Sequence, residues 1–372
     1  ETKITEFKAI LFMIETRQHF PFLKTGIYAN TAASGLMTQE LFEWRRQNDS
    51  ALLLETAQTM GQQADILNQV RQTVGRFFNC PTPQVAMVPN YTIAQNMLMA
   101  GLSKGSRVLL IQEEYPSLNW PFEFMDFELH YVSWSEQLET QLYETLKSSK
   151  IDVLALSLVN WVSGYKVDLS FVQQVKKDFP NVLIIADGTQ YCGTEDFDFS
   201  TSGIDVLAAS AYKWLLSGYG NGFVLFSEMA QNQISLPYGG NGAVEGGESL
   251  KNAIPLNKRL EPGHLDVLNF GSMGFSLEWL QQLGLENIGM HNKALSQKAK
   301  ELFAGLGLLD DLTLSRTEHS TIFNIKGYDS LYHKLKQENI VCSQRGGGIR
   351  LSFHFYNTEE ELVTIGDILQ RE

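Results

Sequence analysis

Two short stretches constrain this 372-residue chain more than any others. Val182-Leu183-Ile184-Ile185 runs into Ala186-Asp187-Gly188-Thr189-Gln190, and Ile204-Asp205-Val206-Leu207-Ala208-Ala209 runs into Ser210-Ala211-Tyr212-Lys213-Trp214. Each is a mostly apolar run that ends in polar residues, the pattern of a strand covered on both faces. Both strands then deliver side chains to the carboxyl edge of one buried sheet. The first brings an acid and the second an amine.

The surroundings fit that sheet. Strand signals at Gln84–Pro89, Ser106–Gln112, Ile151–Leu158 and Val182–Ala186 alternate with helix signals at Thr92–Gly101, Ser135–Ser148 and Leu169–Phe179. Such alternation predicts βαβ units and an α/β fold, a mostly parallel sheet covered on both faces. Phe223–Phe226 adds one more short strand after the lysine. From Leu236 to Gly263 periodicity gives way to glycine and proline, as in a functional loop or a domain junction. Helices are expected near Gly271–Leu283 and Asn287–Ala304, then strands at Leu312–Ser315, Thr321–Ile325 and Gly348–Phe353. Helices at Leu331–Glu338 and Thr358–Glu372 complete a smaller α+β domain. The expected division is an N-terminal helical segment over 1–25, a large domain over 26–255 and the small domain over 256–372.

Composition narrows the class of function. Apolar residues make up 44% and charged residues 19%, enough apolar content for a sizeable core. A net charge of −13 opposes a nucleic-acid partner, whose phosphates call for a basic surface. Cys80, Cys192 and Cys342 have no paired spacing, and the seven histidines have no metal-ligand spacing, so neither disulfides nor a metal are expected. A reducing, cytoplasmic location follows from the cysteines. No apolar stretch reaches the roughly 18 residues of a membrane span. Ala9–Ile14 is short and apolar, and with no small-residue cleavage site after it an amphipathic helix is the expectation. The chain starts without Met, which leaves room for a removed leader.

Asp187 and Lys213 together are the two groups that pyridoxal phosphate requires. A lysine amine condenses with the aldehyde, and a carboxylate keeps the pyridine nitrogen protonated so that the ring can draw electrons. Each residue also has a plain reading. Asp187 could be a turn or cap aspartate, and Lys213 a solvated lysine whose stem lies between Tyr212 and Trp214. Yet a lysine flanked by aromatics directly after a buried strand is an unusual surface lysine. Burial would lower its pKa and make it nucleophilic. The glycines of Ser217–Gly222 permit tight turns but do not follow a strand as a dinucleotide-binding fingerprint requires.

With these motifs in this order, the chain resembles the class V, fold-type I pyridoxal-phosphate enzymes. That group includes cysteine desulfurases, isopenicillin-N-epimerase-like proteins, kynureninase and several aminotransferases. The resemblance runs from Tyr28-Ala29-Asn30-Thr31 to Tyr356-Asn357-Thr358, and Tyr115-Pro116-Ser117 is most like the epimerase-like branch. It implies that Lys213 carries the cofactor and moves the substrate's α-proton, that Asp187 meets the pyridine nitrogen, and that Gln190 meets the ring hydroxyl. Tyr91 and Thr92, in Asn90-Tyr91-Thr92-Ile93, would form the phosphate turn together with Ser210 and Tyr212. An ordinary helix cap at Thr92 is the alternative. Tyr115 would stack on the ring. Asn160, or Trp161 beside it, stands at a polar contact to ring or substrate. Arg350, with Asn30, would bind an amino acid's carboxylate, and a surface arginine is the plain alternative. His264 would reach a neighbouring subunit's phosphate in a homodimer, or is simply a loop histidine.

The resemblance leaves the reaction open among transamination, epimerisation and a cysteine desulfurase or selenocysteine lyase type of elimination. A non-catalytic binding protein that kept the fold is the alternative of another class. A persulfide mechanism needs a cysteine on a mobile loop shortly before Arg350. The apolar run Ile340-Val341 places Cys342 on a strand instead, and Gln344–Gly348 is too short for such a loop. Cys192 is expected to pack beneath the cofactor. An aminotransferase-like enzyme acting on an amino acid, a small-molecule substrate, is the leading expectation.

Overall fold

The computed structural model describes residues 15–240 and 254–370. The first strands are β1 (Ile27–Tyr28), β2 (Val85–Val88), β3 (Arg107–Ile111), β4 (Glu128–Val132) and β5 (Val153–Ser157). They are followed by β6 (Leu183–Asp187), β7 (Val206–Ser210) and β8 (Gly222–Phe226). Seven of these form one sheet in the order β2-β8-β7-β6-β5-β3-β4. Only β8 runs against the rest, pairing antiparallel with both β2 and β7. All the others therefore end at the same edge, the place where open α/β sheets bind ligands.

The apolar runs are explained by what covers the sheet. Leu109, Leu154, Ile184 and Leu207 point into one core, while their neighbours Val108, Val153, Leu183 and Val206 point into another on the opposite face. A strand buried on both sides has no use for a polar alternate residue, and every residue of β5, β6 and β7 is buried. The strand β4 lies at the sheet's outer edge and is partly exposed, so its sequence Glu-Leu-His-Tyr-Val carries no such run.

A second body holds β9 (Ile322–Ile325), β10 (Ile340–Val341), β11 (Ser343–Arg345) and β12 (Gly348–Ser352). The order β11-β12-β9 is antiparallel throughout, and β1 pairs parallel with β10. Its core includes Phe323, Leu351, Phe353 and Ile365. The helix Glu359–Leu369 starts where the sequence predicts, with Thr358 and Glu361 forming a capping box.

Three expectations are corrected. The strand at Leu312–Ser315 is a short helix, Asp311–Ser315, because Asp310 caps it by accepting the Thr313 amide (2.7 Å). The boundary after residue 255 does not match the packing. The helix Val267–Leu283 lies on Thr56–Phe77 and sends Phe270, Met273, Leu277 and Leu280 into the large body's core. Conversely β1 and Ala29 belong to the small body, through β10 and its core. Within Leu236–Gly263, the segment Leu256–Leu260 is helical, and its Leu256 and Leu260 join the large body's core. Residues 241–253 of that stretch and 1–14 of the N-terminal segment lie outside the described residues.

Candidate active site

The edge of the sheet assembles the site from strand ends. Asp187 closes β6, Ser210 closes β7, and Lys213 stands three residues beyond it. The loop after β2 starts the helix Tyr91–Met99, and the loop after β3 brings Glu114 and Tyr115. Tyr91, Tyr115, Ser210 and Lys213 border a cavity of about 500 Å³, lined also by Asn90, Thr92 and Thr189. That size lies within the roughly 300–1,000 Å³ of small-ligand sites.

Backbone contacts fix the lysine. The Gly35 amide donates to the Tyr212 carbonyl (2.9 Å), and the Ala211 amide donates to the Asn221 carbonyl (3.1 Å). The Lys213 amine lies 5.9 Å from the centre of the Tyr115 ring and 5.7 Å from that of Tyr212. Only 7% of Lys213 is exposed. Burial is the main reason its pKa falls to about 8, with the charges of Arg350 and Arg345 adding to the fall and Asp187 opposing it. Asp187 is equally buried, and loss of water raises it to about 6 against the pull of Thr189 and Lys213.

A hydrogen-bonded chain links these strand ends. The Thr189 amide donates to Asp187 Oδ1 (2.8 Å), the Ser210 amide to Thr189 Oγ1 (3.1 Å), and the Tyr91 amide to Ser210 Oγ (2.9 Å). The Tyr91 amide is thus engaged within the protein, while its buried hydroxyl has no hydrogen-bond partner among the described residues. Thr92 Oγ1 donates to Ser117 Oγ (2.8 Å), and Asn90 Oδ1 caps the helix by accepting from the Ile93 amide (2.9 Å). Tyr212 stacks on Tyr219 with ring centres 4.6 Å apart.

Other expected residues are placed less directly. Gln190 is spanned at both ends, donating to the Ala32 carbonyl (3.0 Å) and accepting from Trp214 Nε1 (2.8 Å). Asn160 Oδ1 accepts from the Val162 and Ser163 amides (both 2.9 Å), which shapes the turn. It is Trp161 that meets Tyr115, edge-on at 5.4 Å. Asn30 Oδ1 accepts from Ser343 Oγ (2.6 Å). His264 is exposed and is not among the residues that line the cavity.

Arg350 comes from β12 and is 2% exposed. Its Nη1 donates to the Trp161 carbonyl (2.6 Å), while its buried Nε has no hydrogen-bond partner among the described residues. Burial lowers the guanidinium's pKa to about 10, and it stays charged at neutral pH.

Sequence reasoning passed over Glu114. It is buried, its carboxylate accepts from the Tyr115 amide (2.9 Å), and desolvation followed by the charge of Asp187 pushes it up to about 7. An acidic residue directly before Tyr115-Pro116 at a strand end was the available signal.

The residues present suit pyridoxal phosphate. A buried amine faces the cavity, a buried carboxylate stands beside it, an aromatic ring lies over it, and the N-terminus of a nine-residue helix borders it. Among the described residues no cluster of His, Cys, Asp and Glu could hold a metal ion, and no helix is long and apolar enough to cross a membrane.

The chain is similar to known proteins in sequence and in fold. The chain is 21% identical over 335 residues to a probable cysteine desulfurase of Methanothermobacter thermautotrophicus, covering 82% of this chain and 83% of that one. It is 24% identical over 385 residues to isopenicillin N epimerase of Streptomyces clavuligerus, covering 93% and 94%. Among solved structures it superposes on the apo cysteine desulfurase of Thermococcus onnurineus NA1 with a TM-score of 0.84, at 16% identity and covering 96% and 97% of the two chains. A C-DES mutant with glycine covalently linked to its PLP cofactor matches with a TM-score of 0.81, at 19% identity and covering 95% and 98%. The family model described as Aminotransferase class-V matches residues 36–365, from the loop beside Lys213 through the arginine strand into the last helix. A match that spans both bodies makes the chain a member of the class V aminotransferase family, whose cofactor is pyridoxal 5'-phosphate.

Proposed function

We propose that this enzyme acts at the α-carbon of an amino acid in the manner of a class V aminotransferase, with Lys213 as its catalytic residue. The observation that carries the reading is the burial of Lys213 beside Asp187, within the field of Arg350. When bound in the cavity, pyridoxal phosphate supplies an aldehyde that captures amines and a ring that draws electrons away from Cα.

The remaining work falls to side chains. With a pKa of about 8, roughly a tenth of Lys213 is neutral at pH 7, compared with well under a thousandth for a solvated lysine. A neutral amine is what both covalent attachment and proton removal at Cα require. Asp187, raised to about 6, is still mostly ionised at pH 7 and favours a proton on the nitrogen facing it. Arg350, with Nε unengaged, offers one edge of its fork to the substrate's α-carboxylate. In this reading Tyr115 would cover the cofactor's ring and Gln190 would offer its remaining N–H to the ring hydroxyl, while Asn160 orders the turn that carries Trp161. Thr92, Ser210, Tyr212 and the Tyr91 turn would hold its phosphate, and Asn30 would steady the substrate side.

Two further parts of the reading concern the whole enzyme. It works as a homodimer in which His264 serves the neighbouring site, and its three buried free thiols suit the cytoplasm. A persulfide mechanism is disfavoured. Cys342 is 5% exposed, burial pushes its thiol up to about 11, and only Gly346 and Gly347 connect β11 to β12.

The test is optical and then chemical. The holoenzyme should show a visible absorbance band that borohydride abolishes, and Lys213→Ala should lose it. A reducible band retained in that variant would overturn the assignment. Incubation with single amino acids, scoring keto acid, racemised amino acid and sulfide, then separates transfer, epimerisation and elimination.

A further inference from the structure

Arg350 has a charged neighbour that chemistry at Cα does not need. In the β11–β12 hairpin Ser343 pairs with Arg350, and Arg345 pairs with Gly348. Side chains alternate along a strand, so Arg345, two residues beyond Ser343, projects to the same face as Arg350. On the other side β9 places Asn324 opposite Arg350, again on that face. The reverse face, carrying Ile349, Leu351, Phe323 and Ile325, is buried in the small body's core. The small sheet therefore turns a polar row of Asn324, Arg350 and Ser343 to the site side, with Arg345 at its open end.

The hairpin is held against the site. Gly346 turns with φ of +55°, and a Cβ there would stand 2.4 Å from Val162 Cγ1, so the turn abuts the residue after Trp161. Trp161 in turn carries the carbonyl that Arg350 grips. Arg345 is exposed and forms no ion pair with a carboxylate among the described residues. Its charge acts on both Lys213 and Arg350, in each case against protonation. A second unpaired guanidinium on this face raises the local positive potential. Such a field favours an anionic group beyond the one that Arg350 would bind.

We propose that Arg345 binds a second acidic group on the substrate, so that the enzyme takes amino acids whose side chain ends in a carboxylate. Arg350 receives the α-carboxylate and Arg345 reads the distal one, each by charge-assisted hydrogen bonds. This rests on the proposed role of Arg350 and extends it to the class of substrate.

Calorimetric titration of the holoenzyme with glutarate and with butyrate tests it without turnover. Glutarate is expected to bind at least tenfold tighter than butyrate. Arg345→Gln should reduce that ratio to within about twofold, Arg345→Lys should keep most of it, and Arg350→Gln should weaken both ligands. A wild-type enzyme that binds the two equally, or an Arg345→Gln variant with an unchanged ratio, overturns the proposal. The borohydride-sensitive band is read on the same samples. Its absence from the wild type would count against Lys213 as cofactor carrier, whereas a missing glutarate preference with the band present counts against Arg345 alone.

Discussion

Removing the cofactor should expose a cost that the site imposes on the fold. In the cofactor-free protein Lys213 is an amine buried with a pKa near 8, whereas in the unfolded chain it has the ordinary 10.5. The folded state thus favours the neutral form. The penalty is present in full below pH 8, shrinks between pH 8 and 10.5, and vanishes above. A difference of about 2.5 units corresponds to about 3 kcal/mol at pH 7. Lys213→Met removes the charge and keeps a side chain of similar length. Asp187 then loses a favourable partner and is driven further toward its neutral form, which takes back part of the gain. The expected net stabilisation of the cofactor-free variant is about 1–3 kcal/mol at pH 7. Urea unfolding of wild type and variant at pH 7, 8, 9 and 10 measures it. A variant no more stable than wild type at pH 7 would refute the buried-amine argument. So would a gain that persists undiminished at pH 10, since only the charge of Lys213 carries that dependence.

Two other outcomes follow from the geometry. Cys342→Ala should leave keto acid and sulfide production within about twofold of wild type, because a buried thiol held near 11 is a poor nucleophile; a tenfold loss of sulfide alone would restore the persulfide mechanism. Gly164→Ala should destabilise by about 2–4 kcal/mol in urea unfolding, since φ is +75° and a Cβ would lie 2.0 Å from the Ile322 carbonyl. It should also raise the KM for amino acids, because the same turn carries the Trp161 carbonyl that holds Arg350. A loss under 0.5 kcal/mol would show that this junction yields easily.

What could be read from the chain divides along the range of the interactions involved. Strands β5, β6 and β7 are buried on both faces, so their apolar runs announced both the parallel sheet and the edge where Asp187 and Lys213 meet. Leu312 and Leu314 mimicked a strand, and only the short-range cap from Asp310 turned that segment into a helix. The assignment of Ile27–Tyr28 to the small body depends on a partner more than 300 residues away, which no local pattern encodes. Asn160 and Trp161 show the same limit at the scale of one residue. A turn needs Asn160 Oδ1 for its own amides, and this leaves the neighbouring ring to face Tyr115. Arg345 is the sharpest case. Its place beside Arg350 is a matter of parity, since Ser343 opposite Arg350 sends residues 343 and 345 to one face and residue 344 to the other. A slip of this pairing by one residue would leave the sequence of β11 unaltered, yet move Gln344 onto the site face and Arg345 off it. The hairpin's tight turn is therefore as much a determinant of which acid the site can read as the arginine itself.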